Sequence, residues 1–139
     1  MMFLPNTTEQ ETKDFLIAVD QQWHQERPSI FEFAIVLDGL QIGAVSISRE
    51  ENADQGEIGW ILNRKYWNCG YASEAAMAVL YFAKNHLCLK QVIAHCDWRN
   101  VASARVMEKL GMRIIDQNGT RTYLKRNETA RELTYLIEF

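Results

Sequence analysis

The segment from Ser73 to Leu87, SEAAMAVLYFAKNHL, constrains the fold more than any other part of the sequence. Its length and its alanine content favour a helix over a strand. Such a helix is apolar nearly all round, which predicts that it is deeply packed. The chain must therefore supply other elements that cover it, and the flanking sequence is rich in strand patterns.

The first strand patterns precede this helix. Residues 31–48, FEFAIVLDGLQIGAVSIS, are typical of a β-hairpin in which the Asp38-Gly39 pair predicts a type I′ turn. Residues 57–63, EIGWILN, predict a further strand with Glu57 on the face opposite Trp60.

The remaining segments complete the order of elements. A first helix is predicted from Thr8, which forms a capping box with Glu11, and it ends before Pro28. The other predicted elements are a strand at 91–98, a helix at 100–111 capped by Asn100 and ended by Gly111, a strand at 112–116, a turn at Asn118-Gly119, and strands at 120–125 and 131–139. This order predicts a mixed α/β (α+β) fold with helices flanking a largely antiparallel sheet.

Composition narrows the class of protein. The chain has 139 residues and a net charge of -3, which fits one domain with a core of its own. It shows no basic stripe for nucleic acid, no apolar run long enough for a bilayer and no secretory signal, so a cytoplasmic protein is expected. Three cysteines without a CxxC pair and three scattered histidines predict no metal site.

The stretch YWNCGYASEA, residues 66–75, joins a predicted strand to the apolar helix. The first turn of a helix has backbone N–H groups without partners and carries partial positive charge, so an anion such as phosphate fits there. Gly70, Ala72 and Ser73 are small enough to let phosphate oxygens reach those groups. On the glycine alone, a tight strand-to-helix turn without a ligand is the favoured interpretation.

Two blocks of the sequence resemble the GNAT family of acetyl-coenzyme A-dependent N-acetyltransferases, and within it the RimJ/RimL-type branch. In the family's loop pattern, Arg/Gln-x-x-Gly-x-Gly/Ala, Trp67 stands at the first position, and Gly70 and Ala72 fill the other two. The block NVASARVMEKLGM, residues 100–112, is similar to the family's Asn-x-x-Ser stretch that ends in Lys-Leu-Gly and an aromatic residue. The resemblance extends from roughly Phe33 to Phe139.

The resemblance implies how acetyl-CoA is held. The diphosphate would rest on the backbone amides of the loop, which are those of Asn68, Cys69, Gly70, Tyr71, Ala72 and Ser73. The backbone of Ile61, Leu62 and Asn63 would pair with the pantetheine arm, their side chains belonging to the core, and Asn100 would hydrogen-bond the same arm. Arg105 and Lys109 are either contacts for the phosphate end or surface charges.

The resemblance also implies direct attack of an amine on the acetyl thioester. Glu57 is the candidate base, acting directly or through a water, and its alternative is a solvated carboxylate. Ser103 is the candidate donor to the leaving sulfur, and its alternative is mutual capping of the helix with Asn100. His95 and Asp97 alternate onto one strand face, where they either meet the acceptor or form a satisfied pair.

Residues 1–139 are therefore expected to form one acetyltransferase domain with an unusually short N-terminal region at 1–30. We expect the first strand of such proteins to be absent here or reduced to MMFLP, and the open sheet edge that this leaves suggests a homodimer. The expected activity is acetyl transfer to a primary amine, either a protein N-terminus or a small molecule. The alternative is a non-catalytic relative that binds CoA or a protein.

Overall fold

A computed structural model describes residues 8–49 and 54–139. Within them the helices are α1 (Glu9–Trp23), α2 (Tyr71–Asn85) and α3 (Val101–Lys109), and the strands are β1 (Ile30–Leu37), β2 (Leu40–Arg49), β3 (Gln55–Leu62), β4 (Gln91–Asp97), β5 (Arg113–Tyr123) and β6 (Glu128–Glu138). The six strands form one sheet in the order β1-β2-β3-β4-β6-β5. Only β3 and β4 pair in parallel, which confirms the predicted mixed and largely antiparallel architecture.

The apolar helix α2 packs on one face of this sheet. Ala76, Val79, Leu80 and Ala83 are buried there against core residues of the strands. On the outward side, however, Met77 is 51% exposed and Tyr81 is 67% exposed. The prediction of deep packing all round was therefore wrong for this side, because a helix that covers one sheet face leaves its opposite side to solvent.

Local turn and capping signals were confirmed. Asp38 and Gly39 both have positive φ, 49° and 79°, as a type I′ turn requires. The Thr8 hydroxyl accepts a hydrogen bond from the Glu11 N–H at 3.1 Å and so caps α1. Gly111 has φ +81° directly after α3 and ends that helix.

The turn predicted at Asn118-Gly119 was wrong. Strand β5 continues through both residues, and the chain reverses instead after the short 3₁₀ turn Leu124–Arg126, where Asn127 takes a positive φ of 47°. Asp116 pairs with Thr134 and Gly119 with Glu132, so β5 uses one more residue than β6 over this interval. The turn-forming pair is thus absorbed as a β-bulge.

The parallel pairing of β3 and β4 is short, and this positions the site. The two strands pair in three rows, from Gln55 with Gln91 to Glu57 with Ile93. Beyond Glu57 they diverge, while β3 continues to pair with β2 as far as Leu62. The sheet therefore opens into a gap between the C-terminal halves of β3 and β4.

The reduced first strand predicted at MMFLP lies outside the described residues. No helix between residues 8 and 139, apart from the undescribed 50–53, has both the length and the apolar character that a membrane crossing requires.

Candidate functional site

The loop before α2 presents a row of backbone N–H groups. Gly70 is the N-cap residue, with φ +84° and no side-chain cap, and the first bond into the helix runs from the Glu74 N–H to the Gly70 carbonyl at 3.0 Å. Asn68 also has a positive φ, of 61°. Among the described residues, no acceptor bonds the N–H groups of residues 68–73. Six consecutive amides are thus available to an anion at the positive end of a helix.

These amides face an open cleft of about 990 Å³ between the start of α2, the start of α3 and the end of β3. Nine of the predicted site residues line it, namely Ile61, Leu62, Asn68, Gly70, Tyr71, Ala72, Ser73, Asn100 and Ser103. Glu57, Asn63 and Cys69 are not part of this lining. The structure therefore brings the two sequence blocks together at one cavity.

The charge of the cleft has a single sign. Its cationic lining residues are Arg64, Arg99, Arg105, Lys109 and Arg126, and none of the described residues that line it is Asp or Glu. Arg99 is already paired with Asp97 and Glu128, so the other four supply the local positive charge in a chain whose net charge is -3. Such a cleft attracts a multiply charged anion.

Fewer backbone groups at the end of β3 are available to the pantetheine arm than we predicted. The Asn63 N–H donates to the Ile42 carbonyl at 2.8 Å, and the Asn63 carbonyl accepts from the Tyr66 N–H at 2.9 Å, so its backbone is already bonded within the protein. Because hydrogen-bonding direction alternates along an antiparallel strand, Ile61 also faces β2, whereas Trp60 and Leu62 face the gap. The expected pairing with the pantetheine arm is therefore wrong for Asn63 and Ile61.

Two further features of this strand end were not predicted. The Ile61 side chain is 44% exposed rather than part of the core. The Leu62 carbonyl accepts a hydrogen bond from Nε1 of Trp67 at 2.8 Å. Trp67 therefore links the end of β3 to the amide loop, and the N–H groups of Trp60 and Leu62 are the strand donors that face the gap.

The structure confirms that Asn100 caps helix α3, which was the alternative to a role in cofactor binding. Its Oδ1 accepts the Ser103 N–H at 3.1 Å, which caps α3, and Ser103 itself is only 5% exposed. Both residues nevertheless line the cleft. Their contacts with a cofactor arm stay predictions.

Replacing Asn100 with alanine separates the capping role from a binding role. We expect Asn100→Ala to lower the free energy of unfolding by about 1 kcal/mol, which is the usual cost of a lost N-cap, and to weaken acetyl-CoA binding. The matched control is Thr8→Ala, which removes the corresponding cap of α1 away from the cleft. Thermal unfolding and calorimetric titration of both variants check this, and equal affinities would remove Asn100 from the binding site.

A buried carboxylate holds the turn between β4 and α3. Asp97 is fully buried, and its two oxygens accept hydrogen bonds from Nε (2.9 Å) and Nη2 (2.6 Å) of Arg99. The Tyr123 hydroxyl donates to Asp97 at 3.0 Å, and Nη1 of Arg99 reaches Glu128 at 2.7 Å. These bonds, led by that of Arg99, hold the pKa of Asp97 well below its usual range. One of our alternatives placed Asp97 in contact with the acceptor. Because it is buried and fully bonded, Asp97 instead positions the residues before Asn100.

Glu57 and His95 form a pair at the point where β3 and β4 separate. Nδ1 of His95 lies 2.9 Å from Oε1 of Glu57, and the two side chains are 22% and 40% exposed. The hydrogen bond that His95 donates to Glu57 raises the pKa of His95, against a smaller effect of burial. The predicted base is thus not an isolated, solvated carboxylate. Glu57 lies on the sheet face opposite the core residue Trp60, and neither member of the pair lines the cleft.

Several lining residues were not assigned from the sequence, notably Arg64, Tyr66, Arg99, Val101, Ala102 and Arg126. Arg99 directly precedes the Asn100 block, so its position was a usable signal. Arg126 belongs to the β5–β6 connection, and its approach to the cleft depends on the tertiary fold alone.

With this geometry established, the comparisons with known proteins give the family. Residues 1–113 match the model of the acetyltransferase (GNAT) domain. A solved acetyltransferase of the GNAT family from Bacillus anthracis is 32% identical, with a TM-score of 0.73, over 94% of this chain and 75% of that chain. The chain belongs to the GNAT acetyltransferase family.

Two further relatives refine the comparison. The uncharacterized N-acetyltransferase YnaD of Bacillus subtilis is 51% identical over 57 residues, 41% of this chain and 34% of that protein. RimL, a ribosomal L7/L12 alpha-N-protein acetyltransferase solved in complex with coenzyme A, shares the fold with a TM-score of 0.85 at 16% identity, over 96% of this chain and 74% of that chain. The matches to the curated relatives span about a third of their length, 34% and 36%.

Proposed function

We propose that the protein is an N-acetyltransferase that moves the acetyl group of acetyl-CoA directly to a primary amine. The observation that carries the proposal is the row of amides at residues 68–73, to which no described residue is bonded. This row opens into a cleft lined by no described carboxylate and by five cationic side chains, of which only Arg99 is paired with carboxylates, those of Asp97 and Glu128. Coenzyme A combines a diphosphate with a further phosphate and a long amide-bearing arm. We assign residues of the cleft to each of these parts.

In this proposal the chain holds the cosubstrate at three places. The amides of residues 68–73, including that of Cys69, donate to the diphosphate. The Leu62 N–H, which faces the gap, donates to the arm or to the thioester oxygen. Arg105 and Lys109 on α3 neutralise the remaining phosphate charge.

The chemistry then needs a proton acceptor and a donor for the leaving sulfur. We assign the role of proton acceptor to the site that includes Glu57. We assign the role of proton donor to the leaving sulfur to the Ser103 hydroxyl at the start of α3. An amine at a protein N-terminus has a pKa near ~8, whereas that of lysine is near ~10.4, so the former loses its proton more readily. The RimL neighbour, named for acetylation of a protein N-terminus, supports the same acceptor class. A single domain, a cytoplasmic location and a homodimer stay predictions.

Ligand-induced stabilisation tests the proposal. Acetyl-CoA at about a hundred times its Kd should add roughly 2.7 kcal/mol to the free energy of unfolding, because it binds only the folded state. Adenosine, which lacks the phosphates and the arm, is the control and should add almost nothing. Equal effects of the two compounds, or none from acetyl-CoA, would contradict the proposed site.

Thiol release then separates an enzyme from a non-catalytic relative. Acetyl-CoA is incubated with a panel of peptides with free N-termini and of small amines, and free CoA thiol is measured with time. Acetyl transfer to at least one amine is the expected result. Binding without transfer to any amine would leave the alternative, a CoA-binding or protein-interaction module.

A further inference from the structure

Glu57 is hydrogen-bonded to His95, a second titratable group that a single carboxylate base would not require. We infer that His95 is the group that takes the amine proton, through Nε2, and that Glu57 acts through His95 by fixing its ring. This inference rests on the proposed acetyl transfer and specifies the base of that reaction.

The first argument is position along the strands. Glu57 pairs with Ile93, and His95 lies two residues further along β4. Because a strand rises about 3.3 Å per residue, the backbone of His95 is about 7 Å nearer to the end of β4. At that end Arg99 and Asn100 line the cleft. His95 is therefore closer than Glu57 to the place where the thioester would be held.

The second argument is the path between cleft and pair. Ile61 lines the cleft, and Gly59 and Glu57 follow on the same face of β3. Gly59 adds no side chain of its own between Ile61 and the pair, although its backbone is buried. An amine on this sheet face would reach the pair through its exposed part, which is 22% of the His95 side chain and 40% of the Glu57 side chain.

The third argument is the tautomer of the ring. An ionised carboxylate only accepts hydrogen bonds, so the 2.9 Å contact with Glu57 requires Nδ1 of His95 to donate. In the neutral ring the lone pair is then on Nε2, which points away from Glu57. No described residue bonds Nε2, and the side chain is 22% exposed. A carboxylate that orients a histidine in this way is a recurrent arrangement for general bases.

The surrounding charges favour a strong base. Glu57 on β3 and Glu132 on β6 raise the pKa of His95, while burial and Arg121 on β5 lower it, and the net change is upward. Arg121 is itself paired with Glu132 at 2.6 Å, which limits its effect. A histidine with a raised pKa still exchanges protons near neutral pH, where a general base is most effective.

The proton balance is simple. The amine nitrogen uses its lone pair to form a bond to the thioester carbon, the carbon–sulfur bond breaks, and sulfur keeps the electron pair. Nε2 of His95 receives one proton from the amine nitrogen, and the imidazolium stays bonded to Glu57 through Nδ1–H. The Ser103 hydroxyl donates a proton to the thiolate, and the proton that the imidazolium releases restores Ser103, so an amide and a free thiol are formed and both residues are neutral again.

The experiment compares the wild type with His95→Gln, Glu57→Gln and the control His86→Gln, whose ring lies at the end of α2. In the free protein, NMR of the imidazole rings gives the tautomer and pKa of His95. In parallel, kcat/KM is measured against pH with two acceptors of different amine pKa, and the Kd for acetyl-CoA is measured for each variant. The pKa of the acceptor amine also shapes the pH profile of kcat/KM. Only an inflection that appears at the same pH with both acceptors therefore reports the enzyme's base.

We expect neutral His95 to carry its proton on Nδ1. The pKa of His95 should lie above that of an ordinary histidine, and it should fall in the Glu57→Gln variant. The common inflection of kcat/KM should follow this pKa, and His95→Gln should lower kcat at least about a hundredfold with an unchanged Kd, while His86→Gln behaves as the wild type. A proton on Nε2, or a His95→Gln variant within about tenfold of the wild type, would overturn the inference and leave the acetyltransferase intact. Inactivity of the wild type and His86→Gln toward every amine would overturn both.

Discussion

Gly70→Val should abolish binding of acetyl-CoA, with a Kd at least about a hundredfold higher, or about 2.7 kcal/mol. Gly70 has φ +84°, a conformation that a β-branched residue adopts only under strain. Apart from its two chain neighbours, no described residue has an atom within 4 Å of a Cβ at this position. The new side chain would therefore stand in the cleft, above the amides of residues 68–73, where the diphosphate is proposed to bind. Calorimetric titration of the variant measures the effect.

The hairpin glycine provides a matched control. Gly39 has φ +79°, and a Cβ there also meets nothing within 4 Å. Both valine variants should lose roughly 1–2 kcal/mol of stability, the cost of a left-handed residue, but Gly39→Val should bind acetyl-CoA as the wild type does. If Gly70→Val kept its affinity, Gly70 would not belong to the site.

Asp97→Ala should be the most destabilising single change, because it leaves Arg99 and the buried Tyr123 hydroxyl without their shared partner. Breaking a buried ion pair costs about 3–5 kcal/mol, and since the Arg99 side chain is 43% exposed, solvent screening favours the lower end of that range. The turn that carries Asn100 should also loosen, so acetyl-CoA should bind more weakly. Denaturant unfolding and titration measure the two effects.

The control for this variant is a surface ion pair. Asp54 and Lys90 are paired at 2.8 Å with side chains 61% and 76% exposed, so Asp54→Ala should cost less than about 1 kcal/mol. Acid gives a second check. The folded pKa of Asp97 lies well below the unfolded value near ~3.9, so its stabilising contribution is complete above that value and is lost as the pH falls. The advantage of wild type over Asp97→Ala should shrink below about pH 4, and a constant difference down to strongly acid pH would refute the buried ion pair.

Local signals in the sequence predicted most of the fold. The Asp38-Gly39 turn, the Thr8 cap and the end of α3 at Gly111 depend on a few neighbouring residues, and all three were confirmed. The pair Asn118-Gly119 carries the same kind of signal, yet β5 runs straight through it. There, pairing with β6 on one side outweighed the local preference for a turn.

The site was predictable where it depended on backbone and short motifs. The amide loop and the Asn100 block meet at one cleft because both follow strands of the same sheet, β3 and β4. The error at Asn63 arose because hydrogen-bonding direction in a strand depends on register with β2, which the sequence does not specify. The approach of Arg126 to the cleft and the pairing of Glu57 with His95 both bring together residues that are far apart in the chain. No local sequence pattern predicts such contacts.

A crystal structure of the protein with acetyl-CoA measures the central feature directly, through the distances from the diphosphate oxygens to the backbone nitrogens of residues 68–73. We predict several N···O distances of about 2.7–3.2 Å, with Gly70 still in its left-handed conformation. A cosubstrate bound elsewhere, or a diphosphate held by side chains alone while these nitrogens contact none of its oxygens, would contradict the proposed site.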